Sequence, residues 1–248
     1  MQAYGLTDIG RTRSQNQDYL YSSSAPVGAF RNLFLVADGM GGHRAGDYAS
    51  RFAVEHLVNY LEEAQTAPVA ACLQNGIAKI NYNLYQEAMK DSAFHGMGTT
   101  LVAATVEEDT LYVANIGDSR LYLYHNGHLR QITRDHSYVE ELVALGKLER
   151  NSHDYLEQKN IITRAIGTED SVQADLFEEQ LEADDLFLMC SDGLSNMVSD
   201  EDISRILSSS DTLQQKVEQL IDSANRNGGK DNITVVLVDP QISEVKAC

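Results

Sequence analysis

The chain has no tryptophan, and only 3 prolines and 3 cysteines in 248 residues. Cys72, Cys190 and Cys248 are odd in number and scattered, which argues against a disulfide framework. Cys190 sits inside an apolar run and reads as a core residue. With so little proline and no Gly/Ser-rich linker, nothing breaks the chain into modules, and its length suits one large domain or two small ones. No apolar stretch approaches the ~20 residues needed to cross a bilayer. Residues 1–8 show neither the basic nor the apolar region of a signal peptide, so the cytoplasm is the expected compartment. Basic residues are scarce too: 19 Lys and Arg stand against 37 Asp and Glu, for a formal net charge of -18. Such a field repels nucleic acid and anionic membranes, whose binding rests on Lys and Arg, so neither is an expected partner.

What the chain does have is aspartate placed at the ends of apolar runs. Phe34-Leu35-Val36-Ala37 is of buried-strand length and stops on Asp38-Gly39-Met40-Gly41-Gly42-His43. A lone Asp-Gly reads as a hairpin turn. The same design recurs, however, at 185–191, which closes on Asp192-Gly193, and at 111–116, which closes on Gly117-Asp118. Two more aspartates stand at strand starts: Asp18 before Tyr19-Leu20-Tyr21, and Asp231 before the apolar run 233–238. In an antiparallel sheet the end of one strand lies beside the start of its neighbour, so these carboxylates can gather at one rim. Gathered like charges repel unless something neutralises them. No Cys or His cluster offers softer ligands, which leaves a hard divalent cation of the Mg²⁺ or Mn²⁺ type.

Six motifs stand in one order: Arg13-x-x-Asn16-Gln17-Asp18, Asp38-Gly39-Met40-Gly41-Gly42-His43, Gly98-Thr99-Thr100, Gly117-Asp118-Ser119-Arg120, Ser191-Asp192-Gly193 and Asp231-Asn232-Ile233-Thr234. In this the chain resembles the bacterial metal-dependent protein phosphatases, the PPM family of type 2C serine/threonine phosphatases, over about residues 2–239. The resemblance implies an α+β fold, the αββα four-layer sandwich: two mostly antiparallel β-sheets packed face to face and flanked by helices. It implies a single phosphatase domain at 1–240, with a flap inserted at about 134–160 and a tail at 241–248. By the same resemblance Asp38 bridges two core ions, Mn²⁺ or Mg²⁺, and Gly39 adds its carbonyl. Asp192 and Asp231 are further direct ligands, Asp18 acts through water, and Asp118 shares a weaker third ion with Asp192. Arg13 holds the substrate phosphate, and a hydroxide bridging the metals attacks phosphorus. The substrates implied are phosphorylated proteins, including a bacterial Ser/Thr kinase that the enzyme opposes in signal transduction, and the chain is expected to act as a monomer.

The coarse element order agrees with that picture. Short strands are expected at 2–7 and 18–22, and helices at 47–63 and 69–90, where apolar residues recur at helical spacing. Four β-type runs span 99–133, with Asn126-Gly127 as a hairpin signal between the last two. Residues 138–145 read as a helix and 149–159 as polar and irregular. Strands at 175–181, 185–191 and 233–238 and helices at 199–208 and 213–227 complete the chain. Two positions depart from the family pattern. Met40 stands where many relatives have a proton-donating His, leaving His43 or a metal-bound water as the general acid. Gln17 stands where many have Glu. Ser119 and Ser191 lack a nucleophile elbow and read as supporting residues. The alternative reading is a catalytically silent member of the same fold that binds metal or a partner.

Overall fold

The computed structural model describes residues 1–42, 45–64, 68–150 and 152–242. Along them run β1 (Gln2–Asp8), β2 (Asp18–Ser23) and β3 (Leu33–Met40), then α1 (Ala45–Glu63) and α2 (Val69–Lys90). A meander follows: β4 (Gly98–Thr99), β5 (Leu101–Glu107), β6 (Thr110–Ile116), β7 (Arg120–His125) and β8 (His128–Gln131). Two short helices, α3 (Tyr138–Ala144) and α4 (His153–Gln158), precede β9 (Asp175–Gln180) and β10 (Leu186–Cys190). The chain then makes α5 (Asp192–Ser195), α6 (Asp200–Leu207), α7 (Leu213–Arg226) and β11 (Ile233–Asp239).

The strands form two sheets in which every pairing is antiparallel. One runs in the order β1-β11-β10-β7-β8 and the other β2-β3-β5-β6-β9, with β4 paired to β3. Alternation along β3 shows how the layers stack. Phe34 and Val36 meet Phe187, Met189, Val236 and Val238 between the sheets, where Phe34 and Phe187 pack edge to face at 5.7 Å. Leu33, Leu35 and Ala37 point the other way, onto Leu57 and Leu61 of α1 and Ile77 and Leu84 of α2. On the far side of the molecule, Leu188, Cys190, Val235 and Leu237 meet Leu194 and the apolar stripes of α6 and α7. A strand buried on both faces reads as a continuous apolar run, which is why these runs carry no polar alternation. The expected helix–sheet–sheet–helix layering is the observed one.

Two local expectations are corrected. The strand expected at 99–106 is broken at Thr100, because Thr99 turns to exchange backbone bonds with Ile166 in both directions. Part of the segment expected to be irregular at 149–159 is α4, started by Ser152, whose hydroxyl caps Tyr155 N–H at 3.3 Å. The Asp192-Gly193 step opens the short helix α5, for which the sequence carried no expectation.

Candidate metal centre

The pairing of β2 with β3 sets Asp18 directly across from Asp38, and this pair is the nucleus of the site. β10 and β11 run antiparallel, so the end of β10 at Ser191 bonds Thr234 at the start of β11. That bond brings Asp192 beside the segment that carries Asp231. The approach is close: a Cβ on Gly193 would stand 1.9 Å from the Asn232 carbonyl, so only glycine fits there. The Gly117-Asp118 turn between β6 and β7 closes the rim. Asp118 and Asp192 both line a cavity of ≈ 350 Å³ that extends under α4.

Each carboxylate is fixed by neighbours. Asp18 is 4% exposed, and its Oδ2 accepts from Ser191 Oγ and Thr234 Oγ1, both at 2.7 Å. The backbone of Asp38 is pinned to the β4–β5 break: its N–H donates to Thr100 Oγ1 at 2.9 Å, and its carbonyl accepts from Thr100 N–H at 2.9 Å. Ser119 in turn holds Thr100 through a 2.7 Å hydroxyl contact. Gly39 pairs with Thr99, and its N–H donates to the Gln17 carbonyl at 3.1 Å. Asp192 accepts from Asn196 Nδ2 at 2.9 Å, and Asp231 from Arg13 Nη2 at 2.7 Å. Asn232 ties the rim together by accepting from Gln17 N–H and donating to the carbonyls of Ile9 and Gln15.

Burial and mutual repulsion raise these acids together. Desolvation, with the charges of Asp192 and Asp231 behind it, pushes Asp18 up to about 7. Asp118 is driven to about 8 by burial, then by Asp192 and Asp135, and Asp192 to about 6 by burial, then by Asp231. Asp38 lies well above the ordinary carboxylate range, from burial first and then from all four of the others. The acids line a basin: among the described residues no three of them close on one point as a ready-made ligand group.

One oxygen on each of Asp18, Asp118 and Asp192 is buried without a hydrogen-bond partner. A buried carboxylate oxygen left bare is costly, and a hard cation satisfies it. The donor set therefore fits Mg²⁺ or Mn²⁺. The structure brings together Asp18, Asp38, Gly39, Asp118, Asp192 and Asp231, with Arg13 at the edge. Arg13 is half-exposed and paired with Asp231, and it also feels the charges of Asp38 and Asp192. His43 lies outside the described residues. Ser191 has the supporting place expected of it, Thr100 and Thr234 stand in the quoted motifs without a role read for them, and Lys159 has no individual signal in the sequence. Lys159 lines the same cavity and feels the charge of Asp192.

The model of the protein phosphatase 2C family matches residues 10–237. The chain is similar to the serine/threonine phosphatase Stp of Listeria monocytogenes, with 40% identity over 253 residues covering 98% of each chain. Among solved structures it is similar to the serine/threonine phosphatase of S. agalactiae, at 39% identity and a TM-score of 0.88, over 95% of this chain and 98% of that one. It is also similar to the catalytic domain of the serine threonine protein phosphatase PstP in complex with 2 manganese ions, at 34% identity and a TM-score of 0.82, over 95% and 96%.

Proposed function

The chain belongs to the protein phosphatase 2C family and is a serine/threonine protein phosphatase, and from that premise we propose how its acidic basin works and what it serves. The substrates are proteins carrying phosphoserine or phosphothreonine, a Ser/Thr kinase among them, met in the cytoplasm by a monomeric enzyme. Asp38, the Gly39 carbonyl, Asp192 and Asp231 hold two divalent ions, Mn²⁺ or Mg²⁺. Asp18 reaches them by way of water through the oxygen that Ser191 and Thr234 leave bare. Asp118 and Asp192 hold a third ion more weakly. When bound, such ions lower the pKa of water and offset charge on the attacking and leaving oxygens.

Phosphoryl transfer needs alignment and charge more than a protein nucleophile. Arg13 supplies alignment, its planar fork matching two phosphate oxygens. The hydrogen bonds on Asp18 and on the Asp38 backbone keep the carboxylates from swinging away as charge changes. The Met40 thioether has no proton to give the leaving oxygen, which leaves His43 or a water on the Asp118 side of the basin as the donor.

The observation that carries this reading is the set of bare buried oxygens on Asp18, Asp118 and Asp192. Its test is hydrolysis of p-nitrophenyl phosphate and a phosphothreonine peptide with and without Mn²⁺. Turnover should require the metal, and Asp38→Ala and Asp192→Ala should each abolish it while the circular dichroism of the fold is kept. Near-wild-type turnover in either variant at saturating Mn²⁺ contradicts the site. No observation favours the catalytically silent alternative; absence of turnover in the metal-loaded protein would.

A further inference from the structure

His136 belongs to the Asp135-His136-Ser137 step and has no part in the site as described so far. It is 6% exposed and holds the turn that carries Asp118 by both of that turn's peptide groups. Gly117 N–H donates to His136 Nδ1 at 3.1 Å, and His136 N–H donates to the Gly117 carbonyl at 2.9 Å. Gly117 adopts φ +97°, and a Cβ there would stand 2.5 Å from Thr100 Cγ2. Thr100 is the residue that pins Asp38. The turn is therefore wedged between His136 and the anchor of the central carboxylate.

The far side of the ring is equally committed. Since Nδ1 accepts, the ring proton resides on Nε2, which lies 3.2 Å from Asp175 Oδ2 as an ion-pair contact. Arg164 grips the other oxygen of Asp175 at 2.7 Å and the Gln173 carbonyl at 3.1 Å. Its Nη1 also lies 3.1 Å from Nε2, as a neighbour and not as an acceptor. The main chain of the same histidine lies where the two stems of the 134–160 segment meet. Its carbonyl accepts from Thr163 N–H at 2.9 Å, and the next residue, Ser137, bridges to Ile162. The two stems of the 134–160 segment thus meet on the residue that clamps the Asp118 turn.

We propose that His136 is a positioning residue: with Nδ1 accepting from Gly117 and Nε2–H facing Asp175, it sets the Asp118 carboxylate for its cation and ties that turn to the stems of the 134–160 segment. The proposal rests on the reading of Asp118 as a cation ligand. Three substitutions separate its parts. His136→Asn can place an acceptor where Nδ1 stands. His136→Gln reaches toward the Nε2 position and leaves Gly117 N–H without a partner. His136→Phe keeps the bulk and loses both.

In metal-free wild-type protein, ¹⁵N spectra of the imidazole should show the Nε2–H tautomer, and the Gly117 amide should exchange slowly with solvent. An Nδ1–H tautomer overturns the proposal without need of any variant. The Gly117 amide should exchange quickly in His136→Gln and His136→Phe and slowly in His136→Asn. In Mn²⁺ calorimetry the weakest site should lose about 10- to 100-fold in affinity in His136→Gln and His136→Phe, the usual range for partners of metal ligands, and keep most of it in His136→Asn. A merely structural histidine would make affinity follow melting temperature, with Asn and Gln alike, and that result also overturns the proposal. Asp118→Asn is the reference. If it leaves the weakest Mn²⁺ site intact, the reading of Asp118 fails, while the Gly117 exchange rates still decide whether the clamp exists.

Discussion

Arg13 donates to Asp231 across 2.7 Å from a half-exposed position, so its guanidinium already sits over the acidic basin with donors free to turn toward an incoming phosphate. An exposed pair of this kind contributes little to stability. Its value lies in orientation. Arg13→Ala should lower kcat/KM on phosphopeptides by about 1.5–3 kcal/mol, the worth of a charge-assisted contact, and leave Mn²⁺ affinity unchanged or slightly higher as Asp231 loses a competitor. Calorimetry alongside kinetics checks this; loss of metal binding together with activity would make Arg13 a structural residue. At the same scale, Asp18, Asp118 and Asp192 each keep one oxygen bare inside the protein. The aspartates were legible in the sequence because each ends or begins an apolar run. Which carboxylate each hydroxyl holds was not: Ser191 read as a supporting residue without its partner, and Thr100, Ser191 and Thr234 act through partners 62, 173 and 216 residues away.

The helices and strands were legible where one physical rule decided them. β10, and β3 as far as Ala37, are apolar because both their faces are buried, by a second sheet on one side and helices on the other. The Asn126-Gly127 hairpin was legible because both residues take positive φ, 48° and 84°, which these two types tolerate. α4 and α5 were missed since six and four residues carry too short a pattern; α5 closes as the carbonyls of Asp192 and Leu194 accept from Asn196 and Val198 N–H. The break at Thr100 depends on Ile166, far along the chain. α4 also gives the 134–160 segment its substance. Tyr155 Oη and Arg150 Nη2 both donate to the buried Glu140, at 2.7 and 2.5 Å, binding α3 and α4 into one unit. That unit walls the cavity reaching Asp118 and Asp192. Shuffling 149–158 should therefore change the preference among phosphoprotein substrates more than the rate on p-nitrophenyl phosphate, which needs only the basin. Equal losses on both would mean that the segment supports the fold alone.

Taken whole, the molecule concentrates acids that prefer to keep their protons. Asp192, Asp18 and Asp118 stand at about 6, 7 and 8 against an ordinary 3.8. A carboxyl that binds its proton more tightly folded than unfolded favours the fold at low pH, and that contribution is lost as pH climbs through the folded value. In protein stripped with a chelator the melting temperature should fall between about pH 5 and pH 8, and added Mn²⁺ should restore most at the upper end. A flat profile, or equal restoration at every pH, would mean that the acids are not gathered. The central claim is that these carboxylates hold divalent cations, and anomalous diffraction at the manganese edge from crystals soaked in Mn²⁺ tests it most directly. The account predicts two strong peaks within metal–oxygen distance, about 2.0–2.6 Å, of Asp38, with Asp192 and Asp231 sharing one of them. Anomalous density absent from that rim, or present only elsewhere on the acidic surface, would contradict it.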